Sequence, residues 1–273
     1  MVKNNCIINL HLLEGCNYRC KHCFAHFDST AVLSVHNWKQ IIDNITEKTS
    51  VSRFNLAGGE PLLYKGIDEV IEYINAKNIQ VSIITNGHLL SEERIRKFKG
   101  KVSMIGLSID ALQPELLRKI GRCTKSNKIL SADNCVTLCK SIHENGIQLK
   151  INTVVSRLNL HEDFTGFIKT VCPTRWKILK MKRFSADSFD NTELEITDNE
   201  FNMFCSTYSS IPHIAEASLK NSYIMIDARG KLVDNSHESY MVIANLLNED
   251  FRDVFNTMYL DTALYESRYK QAS

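Results

Sequence analysis

The sequence predicts an α/β protein, an open, partial (β/α)6 barrel with a C-terminal extension. Apolar, β-rich runs occur at residues 6–12, 53–57, 80–85, 102–109, 148–155, 176–181 and 223–226. Segments with helical periodicity lie between most of them, at residues 38–48, 66–77, 92–98, 127–145 and 161–170. Strands that alternate with helices favour βα units and a parallel sheet. Six such units before about residue 182 are fewer than the eight of a closed barrel, so we expect the barrel to stay open.

The composition favours a single compact unit. No linker rich in Gly, Ser or Pro divides the 273 residues, which contain only 4 prolines and 11 glycines. An apolar fraction of 44% is enough for a large core, and 23% charged residues is ordinary. We expect residues 1–182 to form the barrel with the main site, and residues 183–273 to complete and cover that site.

Charge and targeting signals exclude several classes of partner. The net charge of +2 argues against a large basic surface that binds nucleic acid. The sequence contains no run of 18 apolar residues, the length needed to span a membrane. The N-terminal residues lack the features of a signal peptide. The nine cysteines should therefore be reduced thiols or ligands. We expect a cytoplasmic monomer with no nucleic-acid or membrane partner.

Cys16, Cys20 and Cys23 form a tight group with the spacing C-x3-C-x2-C. Three thiolates suit an iron–sulfur cluster, and with three ligands one iron stays open to another molecule. Zinc is the main alternative, with His22 or His26 as the fourth ligand. A disulfide with a spare thiol is disfavoured because the chain shows no export signal.

The stretch CNYRCKHC resembles the cluster motif of the radical S-adenosylmethionine (SAM) superfamily. The resemblance implies a [4Fe–4S] cluster on Cys16, Cys20 and Cys23 whose fourth iron binds SAM. One electron from the cluster would then cleave SAM to methionine and a 5′-deoxyadenosyl radical. His22 stands where the superfamily usually has an aromatic residue.

Polar residues also gather where the predicted strands end, which is where parallel α/β folds place their chemistry. They are Asn9 and His11 in the first strand, Gly58, Gly59 and Glu60 after the second, Asn86 after the third and Ser108 in the fourth. By itself, Gly58-Gly59 also fits a tight turn. The stretch Gly58-Gly59-Glu60 is similar to the GGE motif of radical SAM enzymes, which implies that it binds the amino group of SAM. The same resemblance implies SAM contacts for Asn86, Ser108 and Arg122.

Four cations lie on or beside inward-facing strand segments, namely Arg53, Lys150, Arg175 and Lys177. Gathering them in a barrel interior is unfavourable without an anion, and a triphosphate would neutralise them. For each residue taken alone, exposure to solvent or pairing with a carboxylate such as Glu60 or Asp227 is an equal alternative.

Longer motifs resemble the viperin family. They are LKINTVVSRLNLHEDF (residues 149–164), PTRWKILK (173–180), NSYIMID (221–227) and IGR (120–122), together with Asn9, CNYRC and GGEP. The resemblance covers about residues 7–235 and implies nucleotide contacts for Asn9, Arg53, Lys150, Asn152, Arg175 and Lys177. It implies a catalytic hydrogen relay for Tyr223, for which core packing is the alternative. Trp176 is expected to pack. Ala57 replaces the family's serine, residues 215–220 are about two residues short, and little matches after Tyr240.

The viperin resemblance implies a defined reaction. The radical would take the 4′ hydrogen of a ribonucleoside triphosphate, the 3′ hydroxyl would leave as water, and one electron and one proton would complete a 3′-deoxy-3′,4′-didehydro nucleotide. Such a product terminates RNA chains and acts against viruses. We expect CTP ahead of UTP or GTP, and an external electron donor of the flavodoxin or ferredoxin type. A radical SAM enzyme acting on a peptide or a nucleotide-linked sugar is the first alternative. A zinc- or cluster-binding module without chemistry is the second.

The other six cysteines do not form a second closely spaced group in the sequence. Cys135 and Cys139 fall on one apolar helical stripe with Leu138 and Ile142, so we expect them to pack in the core.

Overall fold

In the computed structural model, the described residues are 5–25, 32–186, 189–237 and 240–270. The first six strands pair in chain order and all run parallel: β1 (Cys6–His11), β2 (Val51–Ala57), β3 (Gln80–Thr85), β4 (Met104–Ser108), β5 (Gln148–Val155) and β6 (Arg175–Lys180). Helices α1 (Val35–Thr46), α2 (Ile67–Ala76), α3 (Glu92–Phe98), α4 (Pro114–Ile120), α5 (Ala132–Glu144) and α6 (Thr165–Val171) connect them. The predicted α/β fold with a partial barrel is confirmed, because the sheet does not close.

The C-terminal part extends both edges of this sheet. It contains β7 (Ser185–Ala186), β8 (Phe189–Asp190), α7 (Asp198–Thr207), β9 (Ile214–Glu216), β10 (Ile224–Ile226), β11 (Lys231–Asp234), β12 (Met241–Asn245), α8 (Phe251–Phe255) and α9 (Thr262–Lys270). Strand β9 adds to β6 and β10 adds to β1, both in parallel, so the chain crosses from one edge of the sheet to the other within a few residues. The sheet order is β12-β11-β10-β1-β2-β3-β4-β5-β6-β9.

Local sequence signals explain where the helices begin and end. The hydroxyls of Ser34, Ser91 and Ser131 accept hydrogen bonds from backbone amides and cap the N-termini of α1, α3 and α5. Helix α4, which the sequence analysis missed, has a proline in its first turn and ends at Gly121 with a φ of 86°. This proline-to-glycine pattern is typical of a short helix and was available in the sequence.

Gly121 also brings the cysteine loop onto α4. A Cβ at this position would overlap the carbonyl oxygen of Arg19. The amides of Arg19 and Lys21 donate hydrogen bonds to the carbonyl oxygens of Gly121 and Ile120 at 3.2 and 2.9 Å. The cysteine loop is therefore fixed against the connection between β4 and β5.

One continuous apolar core joins the two parts of the chain. It includes Ile8 and Phe54 of the first strands, Trp38 of α1, and Phe251 and Tyr265 of the C-terminal helices. Cys135 and Cys139 of α5 belong to this core, as predicted from their helical stripe. None of the helices in the described ranges is long and apolar enough to cross a membrane.

Candidate active site

The three cysteines of the tight group lie close together in the loop that follows β1. Burial raises the pKa of Cys20 to about 12 and that of Cys23 to about 11, and the nearby thiols contribute to both shifts. N–H groups approach two of the sulfurs. The Tyr18 amide lies 3.4 Å and the Asn86 Nδ2 3.8 Å from the Cys16 Sγ, while the Arg122 Nη1 lies 3.8 Å from the Cys20 Sγ. Such donors stabilise thiolates that ligate a cluster, so this environment fits a [4Fe–4S] centre.

The residues around the loop do not assemble a zinc site. His22, the nearer candidate for a fourth ligand, places its Nε2 3.1 Å from the Asp110 Oδ2, and His26 lies outside the described residues. Among the residues that the structure describes, no three His, Cys, Asp or Glu side chains converge on a position for one metal ion. A [4Fe–4S] cluster differs because each cysteine binds a separate iron.

Gly58 and Gly59 pack against the start of the cysteine loop. A Cβ on Gly58, whose φ is 137°, would overlap the Leu13 carbonyl oxygen, and one on Gly59 would overlap those of Glu14 and Gly15. The Gly59 amide donates to the Leu13 carbonyl oxygen at 2.8 Å. Because Gly58 and Gly59 have no side chains, their backbone packs closely against the backbone at the start of the cysteine loop.

Glu60 is fully buried and joins the ends of β2 and β3. Its carboxylate accepts hydrogen bonds from the Thr85 hydroxyl at 2.7 Å, the Asn86 amide at 2.8 Å and the Leu62 amide at 3.1 Å. Burial raises the pKa of Glu60, and these three donors oppose that shift. Glu60 therefore holds the Asn86 backbone in place beneath the cysteine loop.

Three of the predicted SAM contacts share one cleft. A small cleft is lined by Asn86, Ser108 and Arg122 together with Tyr18, and it opens beside Cys16 and Cys20. Arg122 donates hydrogen bonds to the Ser108 carbonyl oxygen and lies over the Tyr18 ring at 5.5 Å. Gly58, Gly59 and Glu60 do not line this cleft.

A second, larger cavity occupies the interior of the barrel. Its walls bring together five of the predicted functional residues, which are Asn9, Lys150, Asn152, Lys177 and Tyr223. His22 and Phe24 of the cysteine loop also line it. The predicted nucleotide contacts and the cysteine loop therefore share one chamber.

Arg53 and Arg175 lie deeper, toward the amino ends of their strands, and do not line the chamber wall. Arg175 is paired in register with Lys150, and Lys177 with Asn152 one layer higher. The Arg53 and Arg175 guanidinium groups repel each other across this layer, and burial lowers the pKa of both. The two arginines therefore lie at the floor of the chamber, with Arg175 in the same layer as Lys150.

Asn9 belongs to a polar ladder across three strands. The Asn55 Nδ2 donates to the Asn9 Oδ1 at 3.0 Å, and the Ser82 hydroxyl donates to the Asn55 Oδ1. The Asn9 Nδ2 donates to the Ile224 carbonyl oxygen at 3.1 Å. Sequence reasoning missed Asn55, although it is the inward-facing residue of β2 in register with Asn9.

Glu216 is the carboxylate that neutralises part of the cationic chamber. It pairs with Lys177 through one oxygen and with Arg268 through the other, and it accepts a hydrogen bond from the Tyr223 hydroxyl at 2.9 Å. The expected partners Glu60 and Asp227 are engaged elsewhere. Glu216 itself falls in residues 215–220, where the resemblance is interrupted, so no sequence signal pointed to it.

Lys150 has no such partner. Among the described residues it makes no hydrogen bond and no ion pair. Burial, then Lys177, lowers its pKa well below the ordinary value. An ammonium group that faces other cations and has no carboxylate partner is unfavourable unless an anion joins it.

The C-terminal helix α9 supplies residues that the sequence analysis also missed. Arg268 is almost fully buried against Glu216, and Tyr269 lines the chamber. Tyr265, Arg268 and Tyr269 lie on one helical face at i, i+3 and i+4. In the sequence, this i, i+3, i+4 spacing could have indicated one buried face of a helix, but no stripe of apolar residues accompanied it.

Trp176 faces away from the chamber, as predicted. It is buried against Tyr208 at a ring distance of 4.9 Å, and its Nε1 donates to the Thr153 hydroxyl at 3.0 Å.

A buried network joins the cysteine loop to β4 and β5. Asp110 is almost fully buried and accepts hydrogen bonds from the Val154 amide at 2.8 Å and from His22, with the Arg122 Nη1 3.4 Å away. Burial would raise the pKa of Asp110, but Arg122 and His22 outweigh it and hold the pKa below the usual value. Asp110 therefore stays ionised and anchors both the Arg122 and the His22 side chains.

Known proteins share this fold and sequence. The profile of the radical SAM superfamily matches residues 10–171. A protein of Selenomonas ruminantium named S-adenosylmethionine-dependent nucleotide dehydratase is 38% identical over 96% of this chain and 98% of its own. The Danio rerio protein of the same name, RSAD2, is 26% identical over 83% of this chain and 66% of its own.

Solved structures agree at the level of the fold. Streptococcus suis SuiB, bound to its precursor peptide SuiA, superposes with a TM-score of 0.74 at 15% identity, over 97% of this chain and 67% of that one. Radical SAM proteins carry a [4Fe–4S] cluster and bind SAM, and the cysteine loop described above fits both. The chain thus belongs to the radical SAM superfamily and, within it, to the viperin-like family of S-adenosylmethionine-dependent nucleotide dehydratases.

Proposed function

We propose that this protein removes water from a ribonucleoside triphosphate, with CTP as the preferred substrate ahead of UTP or GTP. The product would be the 3′-deoxy-3′,4′-didehydro nucleotide, which ends a growing RNA chain and would act against viruses. The observation that carries the proposal is the ammonium group of Lys150, which lines the chamber among other cations and has no carboxylate partner among the described residues.

The charge of the chamber matches a triphosphate. Five cations surround its lower half, and they are Arg53, Lys150, Arg175, Lys177 and Arg268. In the part of the chain that the structure describes, Glu216 is the one carboxylate paired with any of them. Cations therefore outnumber carboxylates around the chamber, and the negatively charged phosphates of a nucleoside triphosphate would neutralise them.

The layers of the barrel orient the nucleotide. With the phosphates held by the Arg53, Lys150 and Arg175 layer, the ribose would lie nearer the carboxyl ends of the strands and the cysteine loop. Clamping the remote phosphates places one C–H bond beside the radical, which is mainly a problem of positioning. Asn9, Asn152 and Lys177 would contact the nucleotide above the phosphates.

A [4Fe–4S] cluster held by Cys16, Cys20 and Cys23, with SAM bound to it, would supply the 5′-deoxyadenosyl radical for removal of the 4′ hydrogen. We propose that Asn86, Ser108 and Arg122 hold SAM in the smaller cleft, and that the Gly58-Gly59-Glu60 backbone binds its amino group. An external flavodoxin- or ferredoxin-type donor would supply the electrons. One electron and one proton would balance loss of the 3′ hydroxyl as water. Tyr223 would deliver both as a hydrogen atom, and the external donor together with a proton from solvent would restore the tyrosine.

Mass spectrometry of an anaerobic reaction tests this proposal. Reconstituted protein with SAM and a reductant is incubated separately with CTP, UTP, GTP and ATP. We expect one nucleotide to give 5′-deoxyadenosine and a nucleotide lighter by one water in equal amounts. Equal, slow 5′-deoxyadenosine formation with all four and no dehydrated nucleotide would refute the substrate assignment.

A matched pair of lysine variants adds a binding test. Lys150→Met removes the partnerless cation, and we expect nucleotide affinity to fall at least tenfold, since a charged hydrogen bond to phosphate is lost. Lys140→Met changes an exposed lysine of α5 and should leave affinity unchanged. Equal affinity of the two variants would contradict a phosphate site at Lys150.

A further inference from the structure

The outer face of the cysteine loop is strongly basic. Six exposed cations surround it, which we call the basic patch, and they are Arg19, Lys21, Arg118, Lys119, Lys125 and Lys128. Among the described residues, none of the six forms an ion pair with a carboxylate. Residues 15–25 and 111–130 contain seven of the 33 Lys and Arg residues and, in Glu115, one of the 31 Asp and Glu residues. The remainder of the chain therefore has a net negative charge, and the positive charge is concentrated on this face.

Backbone hydrogen bonds bring two parts of the basic patch together. The amides of Arg19 and Lys21 donate to the carbonyl oxygens of Gly121 and Ile120 at 3.2 and 2.9 Å. These acceptors directly follow the last turn of α4, which carries two further members of the patch. Four of the six cations therefore lie side by side on the cysteine loop and α4.

The other two members lie on a turn at the opposite side of the loop. The Thr124 amide donates to the Lys128 carbonyl oxygen at 2.9 Å and closes this turn, which also contains Lys125. Burial and, after it, the charge of Lys128 lower the pKa of His88, so Lys128 lies near that ring. The His88 Nδ1 is 3.2 Å from the Tyr18 hydroxyl in the cysteine loop. The patch thus flanks the loop on both sides.

The two faces of the cysteine loop have different surroundings. Cys20 stands between the exposed residues Arg19 and Lys21, whereas His22 and Phe24 line the chamber. A substrate in the chamber would cover the inner face. Electrons tunnel between redox centres only over short distances, so a protein that reduces a cluster on these cysteines must dock on the outer face.

The charge of this face and an apolar side chain beside it fit an acidic flavoprotein. Surface cations without carboxylate partners attract an acidic protein, speed its approach and orient it. Leu89 lies on the same turn as His88 and is 40% exposed, so it can contact the apolar edge of a flavin. A nucleic acid suits the face less well, because single strands stack on exposed aromatic rings and Tyr18 is buried.

We infer that the basic patch is the docking surface for an acidic electron donor of the flavodoxin type. The flavin of the donor is oxidised by one electron, and a cluster on the cysteine loop is reduced by that electron. The inference rests on the proposed function, in which such a donor supplies the electrons. It adds the surface of this protein that recognises the donor.

Calorimetry and hydrogen exchange measure docking without turnover. The cluster-loaded protein with SAM is titrated anaerobically with oxidised flavodoxin at about 50 mM and about 500 mM salt. We expect the affinity to fall at least roughly tenfold at the higher salt concentration, because salt screens interactions between exposed charges. Bound flavodoxin should slow hydrogen exchange in residues 15–25 and 114–130.

Two charge-reversal variants, Arg118→Glu/Lys119→Glu and Lys125→Glu/Lys128→Glu, test the two sides of the patch. The matched control is Lys99→Glu/Lys169→Glu. Its lysines are exposed and precede β4 and β6, so they lie at the amino ends of the strands, away from the cysteine loop. We expect roughly tenfold weaker flavodoxin binding in each patch variant at low salt and no change in the control.

A small uncharged reductant separates docking from cluster chemistry. Photoreduced deazariboflavin needs no docking surface, so both patch variants should form 5′-deoxyadenosine with it at the wild-type rate. With reduced flavodoxin as the donor, they should form it at least roughly tenfold more slowly. Iron content is measured for every variant. If one patch variant does not retain iron, the other provides the comparison.

Several outcomes would overturn the inference. They are undetectable or salt-independent flavodoxin binding by the wild type, protection from exchange away from the cysteine loop, and equal affinity in the patch variants and the control. Salt-dependent binding of an RNA oligonucleotide with none of flavodoxin would assign the patch to nucleic acid instead. Normal flavodoxin docking without any dehydrated nucleotide would refute the proposed substrate and leave the docking surface standing.

Discussion

The Tyr265 hydroxyl binds both backbone groups of Ile7, accepting from its amide at 2.6 Å and donating to its carbonyl oxygen at 3.0 Å. Ile7 lies in β1, where the partial barrel begins, and Tyr265 lies in α9. Through this pair of bonds α9 is fixed across the base of the barrel. The same helix carries Arg268 and Tyr269 to the chamber, so the Tyr265 bonds indirectly position two groups of the active site.

Tyr265→Phe should therefore loosen α9 and weaken nucleotide binding. Two buried backbone groups of Ile7 lose their partner, which costs about 1–3 kcal/mol. We expect a lower melting temperature, faster hydrogen exchange in residues 262–270 and weaker nucleotide binding. Tyr259→Phe is the matched control because Tyr259 is 68% exposed. Unchanged hydrogen exchange in α9 would show that these bonds do not hold the helix.

Nucleotide affinity should fall as the pH rises through about 8. Burial lowers the pKa of Lys177 to about 8 and that of Lys150 well below its ordinary value of 10.5. A bound triphosphate favours the charged ammonium groups, so binding takes up protons. We expect several-fold weaker binding at pH 9 than at pH 7. Calorimetry in two buffers with different ionisation enthalpies measures the proton uptake directly.

In the absence of nucleotide, the lowered pKa of Lys177 has the opposite consequence for folding: stability increases with pH while nucleotide affinity decreases. Between about pH 8 and 10.5 the unfolded chain holds a proton on Lys177 that the native protein has lost. The Lys177 contribution therefore favours the native state increasingly as the pH rises through this window.

The control variant for the nucleotide-affinity prediction is Lys150→Arg/Lys177→Arg. It keeps its charge and should show a flatter dependence of nucleotide affinity on pH. A wild-type affinity that does not change from pH 7 to 9 would contradict the assignment.

Tyr223→Phe should separate radical formation from product formation. The Tyr223 hydroxyl donates to Glu216, and burial and then the Glu216 carboxylate raise its pKa far above the usual value, so it keeps its hydrogen. If that hydrogen is delivered in the final step, the variant should still form 5′-deoxyadenosine and make at least tenfold less dehydrated nucleotide. Mass spectrometry gives the ratio of the two. A proportional loss of both would instead indicate a defect in binding.

Loss of one cysteine of the tight group should abolish cluster assembly. We expect Cys20→Ala to hold little iron after anaerobic reconstitution, because a cluster with two thiolate ligands is poorly retained. Cys172→Ala is the control, since Cys172 is exposed at the end of α6. Iron and sulfide analysis with the electronic spectrum provides the measurement. Equal iron in the two variants would exclude Cys20 as a ligand.

Sequence reasoning recovered the parts of the site that are encoded locally. The cysteine spacing, the Gly58-Gly59-Glu60 stretch at the end of β2, and Lys150 and Lys177 on neighbouring strands are visible because a strand places alternate residues inward. Strands β3 and β5 and helix α3 have the predicted bounds.

The contributions that escaped prediction come from tertiary contacts. Glu216 reaches Lys177 because β9 pairs with β6 at the edge of the sheet, and no pattern within residues 214–216 predicts that pairing. Arg268 is buried by an ion pair rather than by apolar periodicity, so α9 has no stripe to recognise. His22 is held by Asp110, which lies 88 positions away in the sequence.

The pairing of Ile7 with Tyr265 spans 258 positions, so it has consequences for synthesis in the cell. During translation the first strands are synthesised long before α9, so the base of the parallel sheet stays uncovered until α9 is made. Contacts of such sequence separation fold slowly and leave intermediates exposed to aggregation. A nascent chain stalled before residue 262 would carry Arg53 and Arg175 at an open barrel floor, where polyanions or chaperones could engage them until the final helix closes it.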